Sequence, residues 1–91
     1  MHNLFQDTWP AFFENFSFHH SDFVQNLSRN YPNLSQMEFK ICCYLRAGYT
    51  NRYIVSLTGR SLRAVETARY RLRKKLPIQS RENLTIYLMK M

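Results

Sequence analysis

Apolar residues recur along this chain at helical rather than strand spacing. Trp9, Phe12, Phe13 and Phe16 fall at i, i+3, i+4 and i+7, one stripe of an amphipathic helix. Pro10 suits the first turn, which places the start near Thr8 or Trp9. Residues 17–20 break the stripe. A second short helix is expected to follow, capped by Ser21 and burying Phe23, Val24 and Leu27. Tyr31-Pro32 ends it, because the residue before a proline avoids the helical region.

The next segment is punctuated more sharply. Ser35 followed three residues later by Glu38 is a capping box, with Leu34 placed as the hydrophobic staple before it. The helix runs through Ile41, Cys42 and Leu45 to Ala47, and Gly48 supplies a left-handed stop. Thr50 caps a short helix containing Ile54, Val55 and Leu57. Thr58-Gly59-Arg60 makes a tight turn at a residue without Cβ. Ser61 then caps a longer helix over 61–76, with Leu62, Val65, Ala68 or Arg69, Leu72 and Leu76 on its apolar side, and Pro77 terminates it. Ser80 is expected to cap a last helix carrying Leu84, Ile86, Tyr87 and Leu88. The pattern predicts an all-α fold: a small helical bundle with a helix-turn-helix over 34–91 and an aromatic, helical N-terminal extension over 1–33.

Composition narrows the function classes. A chain of 91 residues with 45% hydrophobic and 15% aromatic residues makes one ordered domain, too small for a large catalytic cleft. The longest apolar run, 41–45, is far short of a membrane span, and no basic stretch precedes an apolar block as in a signal peptide. No Gly-rich phosphate loop, paired-carboxylate arrangement or nucleophile motif is present, so neither catalysis nor a cofactor is expected. Cys42 and Cys43 are neighbours and point roughly 100° apart on a helix, unfit to share a metal or to pair. They read as reduced core thiols of a cytosolic protein. His19 and His20 lack ligand-spaced partners and read as linker residues, so no metal site is expected.

Charge changes the picture most. Residues 1–34 carry Arg29 against three carboxylates, a net −2; residues 35–91 carry twelve Lys or Arg against three, a net +9. Within them, residues 60–75 hold seven cations against Glu66 alone, a net +6. Such a segment is the electrostatic footprint of nucleic-acid binding, though a solvated basic face has the same composition. Its position decides how it is read. It falls on the second helix of a helix-turn-helix, the element that enters the major groove in such modules. Helical spacing puts Val65, Ala68, Leu72 and Leu76 on the core face and Arg63, Glu66, Thr67, Tyr70, Arg71 and Lys74 largely opposite.

From Leu34 to about Leu88 the chain resembles the LuxR/GerE-type helix-turn-helix domain. Leu34, Ser35, Glu38, Ile41, Leu45 and Gly48 stand at the positions of that family's opening Leu-Thr-x-x-Glu, apolar helix and Gly. Thr50-Asn51-Arg52-Tyr53-Ile54-Val55 matches its Ser-Asn-Lys-Glu-Ile-Ala. Ser61-Leu62-Arg63-Ala64-Val65-Glu66-Thr67-Ala68 matches its Ser-x-x-Thr-Val-Lys-x-His, and Lys75-Leu76 its closing Lys-Leu. The register holds without a gap. Glu66, Ala68 and Arg60 depart from the usual Lys, His and apolar residue. The variant is similar to C-terminal regulators of Bacteroides-type bacteria, in which a Trp- and Phe-rich helical lead-in ending in Tyr-Pro-x-Leu precedes the DNA-binding domain. Residues 8–34 fit that arrangement.

The resemblance implies the output piece of a bacterial transcriptional regulator, cytoplasmic, of the kind used in two-component signalling, with a sensor or receiver portion elsewhere. It implies double-stranded DNA as partner and base-edge contacts at Glu66, Thr67 and Tyr70. Groove chemistry lets Glu66 accept from cytosine N4, Thr67 meet a thymine methyl or a polar edge, and Arg63 take guanine or phosphate. Tyr70 suits a phosphate or a base edge, and Arg71 and Lys74 suit the backbone. Thr50 and Arg52, at the start of the preceding helix, are phosphate candidates. Arg69 and Arg73 sit toward the flank, to snorkel or to pair with an acidic residue. Alternatives stand beside each role: Glu66 pairing with Arg63 or Arg69, Tyr70 packing on the extension, Asn51 facing water. In the family the last helix often forms a dimer contact, and residues 80–90 spread apolar side chains over too wide an arc for one core. A homodimer fits that strip, as does packing against Trp9, Phe12 and Phe16. The competing function is a protein-interaction or dimerisation module of a signalling protein that does not bind DNA.

Overall fold

Each helical period becomes a helix. The computed structural model describes residues 8–91, so the first seven residues of the 1–33 extension lie outside the described residues. The helices are α1 (Trp9–His19), α2 (Ser21–Asn30), α3 (Gln36–Arg46), α4 (Asn51–Thr58), α5 (Leu62–Lys75) and α6 (Leu84–Lys90), with no strand among the described residues. The protein is a small all-α bundle.

α3 is the central element, packed against both α5 and α6. Ile41, Cys42, Cys43, Tyr44 and Leu45 of α3 are all buried, joined by Ile54, Val65, Leu72, Leu84 and Leu88. The extension shares this core: Phe16, Phe23 and Leu27 are buried in the same cluster. Its stripe is seated on α3 ring by ring. Trp9 stacks on Phe13 at 5.0 Å and meets Tyr44 edge-on at 5.5 Å, while Phe12 lies 4.7 Å from Tyr44.

Caps and glycines set the boundaries. Ser35 Oγ accepts from the Glu38 amide at 3.1 Å, and Glu38 Oε1 accepts from the Ser35 amide at 2.8 Å, so the capping box forms as expected. Gly48 (φ 89°) and Gly59 (φ 70°) both adopt the left-handed conformation that ends α3 and α4, where a Cβ would be strained.

Four local expectations are corrected. α1 continues through residues 17–19, because Ser17 Oγ donates to the Glu14 carbonyl at 3.3 Å and His19 Nδ1 lies 2.9 Å from the Asn15 carbonyl; His20 alone breaks the helix, at φ −130°. Ser21 is the first residue of α2 rather than its cap; His20 takes that position and makes no side-chain cap bond. The cap of α6 is Asn83, not Ser80: Asn83 Oδ1 accepts from the Ile86 amide at 3.0 Å. Leu62 is 45% exposed and lies outside the core stripe of α5. No helix among the described residues is long and apolar enough to cross a membrane.

Candidate nucleic-acid interface

α4 and α5, eight and fourteen residues long, meet across residues 59–61. Local hydrogen bonds hold this turn. Thr50 Oγ1 accepts from the Tyr53 amide at 3.2 Å, and Ser61 Oγ accepts from the Ala64 amide at 3.0 Å. At the turn itself the Arg60 amide donates to Thr58 Oγ1 at 3.2 Å. A longer link fixes the two helices to each other: Arg69 Nη1 donates to Asn51 Oδ1 at 3.1 Å. Asn51 is therefore a partner of α5, not a residue facing water.

With the turn held, α5 presents two faces. Val65, Ala68 and Leu72 are buried. Arg63, Glu66, Thr67, Tyr70, Arg71 and Lys74 are all exposed, Tyr70 to 61%. Tyr70 does not pack on the extension among the described residues; Lys74 Nζ lies 5.0 Å from its ring centroid, a cation–π contact. Glu66 makes no ion pair with Arg63 or Arg69 among the described residues. Thr50 and Arg52 are exposed at the start of α4.

The basic residues of α5 divide by what they touch. Arg73 donates to the carbonyls of Glu82 at 2.7 Å and of Gln79 and Ser80 at 2.9 Å each, tying down the link to α6. Lys75 bonds Glu38 Oε1 at 2.8 Å and the Asn33 carbonyl at 3.2 Å. Arg69 is held by Asn51, and burial together with the neighbouring Arg73 charge lowers its pKa. Arg69 and Arg73 thus pair with neutral oxygens rather than with acidic residues. Arg60, Arg63 and Arg71 have no such partners among the described residues and line a groove of about 450 Å³ between α5 and the start of α3. Helical spacing on α5 does not single out Arg60, which precedes the helix. The signal for it in the sequence is its place among the seven cations of residues 60–75.

Other chemistry is quiet. Burial pushes the Cys42 thiol up to about 12, helped by the Glu38 charge, and pushes Cys43 up as well, so both are inert as nucleophiles. No cluster that could hold a metal occurs among the described residues. On α6 the apolar strip divides. Tyr87 is raised to about 12 by burial and by its hydrogen bond with Tyr31 at the end of α2, whereas Ile86 and Met89 are 51% and 44% exposed. Comparison with family models, with curated proteins and with solved structures gave no match to this chain.

Proposed function

We propose that this chain binds double-stranded DNA with α5 in the major groove, as the output domain of a bacterial transcriptional regulator of LuxR/GerE type acting in the cytoplasm. The family part of this reading rests on the sequence motifs between Leu34 and Leu88. The observation that carries the DNA part is the outward face of α5: six polar side chains, rich in cation, stand exposed beyond a turn held by side-chain hydrogen bonds. A preorganised helix with a polar, cationic outer face is what groove entry requires.

The test is a fluorescence-anisotropy titration against random duplex DNA over a salt series. Arg60, Arg63, Arg71 and Lys74 are exposed cations of α5 and the turn before it, and Arg52 is exposed at the start of α4. If each meets a phosphate, log affinity falls against log salt with a slope of about −4.5, at about 0.9 per contact. Binding that ignores salt, or no binding at low salt, overturns the proposal. One observation favours the protein-interaction reading: Phe18, Ile86 and Met89 are large exposed apolar residues. That reading expects partner binding that survives Arg63→Ala and Arg71→Ala.

A further inference from the structure

Helical spacing treats the outer face of α5 as one surface. The groove shows that it is two. Arg63, Thr67 and Arg71, spaced at i, i+4 and i+8, turn toward the start of α3 and line the groove, together with Arg60 from the turn. Glu66, Tyr70 and Lys74, at the same spacing one register away, are exposed but do not line it. The two stripes therefore sit in different electrostatic surroundings. The groove is lined by three arginines. Glu38, the carboxylate in its lining, is already engaged by Lys75 at 2.8 Å and by the Ser35 amide. The ridge stripe carries the lone carboxylate of α5, Glu66, and an aromatic hydroxyl.

We infer that the Arg60–Arg63–Arg71 groove is a sugar-phosphate clamp, and that base reading falls to the Glu66–Tyr70 stripe alone. The inference rests on the DNA-binding reading and refines it. It assigns Arg63 to phosphate rather than to guanine and adds Arg60 to the site. Guanidinium groups suit this ligand: they stay charged, and their forked donors match phosphate oxygens in pairs. Reach favours a strand over a single anion. Arg63 and Arg71 are eight residues apart, about 12 Å along the helix. A duplex strand carries one charge per about 3.4 Å of axis, so the two arginines meet different phosphates of one backbone. Glu66 is unsuited to a phosphate and suited to a cytosine amino group, which is consistent with its place outside the groove.

The experiment compares R60A, R63A and R71A with E66A and Y70A, in the full chain. Each is titrated over a salt series on two probes: a duplex selected from a random pool by the wild type, and the unselected pool. Each groove variant is expected to lower the salt slope by about 0.9 and to weaken both probes by the same factor, about fivefold at 0.15 M salt. R71K is expected to restore the slope, which separates lost charge from lost fold. E66A and Y70A are expected to leave the slope unchanged and to shrink the ratio between the probes. Full wild-type slope in the three groove variants overturns the clamp while leaving DNA binding intact. A changed probe ratio in R63A or R71A with the slope retained returns those residues to base reading. Absence of wild-type binding to either probe at low salt overturns both the clamp and the DNA reading.

Discussion

Arg73 and Arg71 lie two residues apart on one helix and do opposite things. Arg73 gives its donors to three backbone carbonyls of residues 79–82, a link without helical hydrogen bonding of its own. A turn bond from the Glu82 amide reaches the Gln79 carbonyl at 3.0 Å, and a guanidinium reaches several carbonyls at once. Arg71 makes no such bond among the described residues and lines the groove. Arg69 and Lys75 side with Arg73, and Arg60 and Arg63 with Arg71. Net charge on residues 60–75 therefore overstates what a ligand can meet. Part of it holds the helices in place; part is presented. Position around the helix decides which, because a rotation of about 100° per residue carries a side chain from the flank to the outside within two steps.

The contrast can be broken from the inside first. Leu72 is fully buried beneath these arginines. Leu72→Ala is expected to destabilise the protein by about 2–5 kcal/mol, read as a lowered urea midpoint. Next comes the paired comparison that defines the contrast. Arg73→Ala removes three charge-assisted hydrogen bonds and is expected to cost about 1.5–3 kcal/mol, discounted toward the lower figure because two of the bonds are exposed. Arg71→Ala is expected to move stability by about 0.5 kcal/mol or less while weakening DNA binding. Equal stability losses in the two variants would erase the distinction between holding and presenting.

Much of this arrangement was legible because its determinants are local. The capping box spans four residues, and both left-handed glycines follow the end of a periodic segment, so Ser35, Glu38, Gly48 and Gly59 fall where the pattern puts them. The outward residues of α5 follow from a period of 3.6. What escaped the pattern is long-range or competitive. Lys75 reaches Glu38 across 37 residues, and no spacing rule links them. Asn83 displaced Ser80 as a cap because Arg73 holds the Ser80 carbonyl in the preceding turn, and both side chains are good caps. The apolar chemistry of Leu62 predicts an inward side chain, yet as the first helical residue it lies beyond the stripe that begins at Val65. The split of the outer face into groove and ridge depends on where α3 begins beside α5, which no single-helix pattern contains.

A pH-dependent effect sharpens the comparison at the other end of α5, where Lys75 holds rather than presents. Burial pushes the Glu38 carboxyl up, but the Lys75 ammonium and the hydrogen bonds from Ser35 outweigh it and hold the carboxyl below the ordinary carboxylate range. A carboxylate with a lowered folded pKa binds fewer protons when folded than when unfolded. Its contribution is fully present above the unfolded value, about 4.3, and is lost as pH falls through the lower folded value. Glu38→Gln is therefore expected to cost about 1 kcal/mol at pH 7, since Lys75 is partly exposed and the pair is screened. The difference from wild type should shrink below about pH 4 as the native carboxyl takes up its proton. Comparing the two proteins at each pH also removes the contribution of His20. Its pKa is lowered by burial and by the charges of Arg46 and His19, so it too favours unfolding as pH falls, but in a higher window and equally in both chains. Urea midpoints from pH 7 to pH 3 check this. A gap between wild type and variant that stays constant across that range would mean that Lys75 is held by its contact with the Asn33 carbonyl and not by the Glu38 charge.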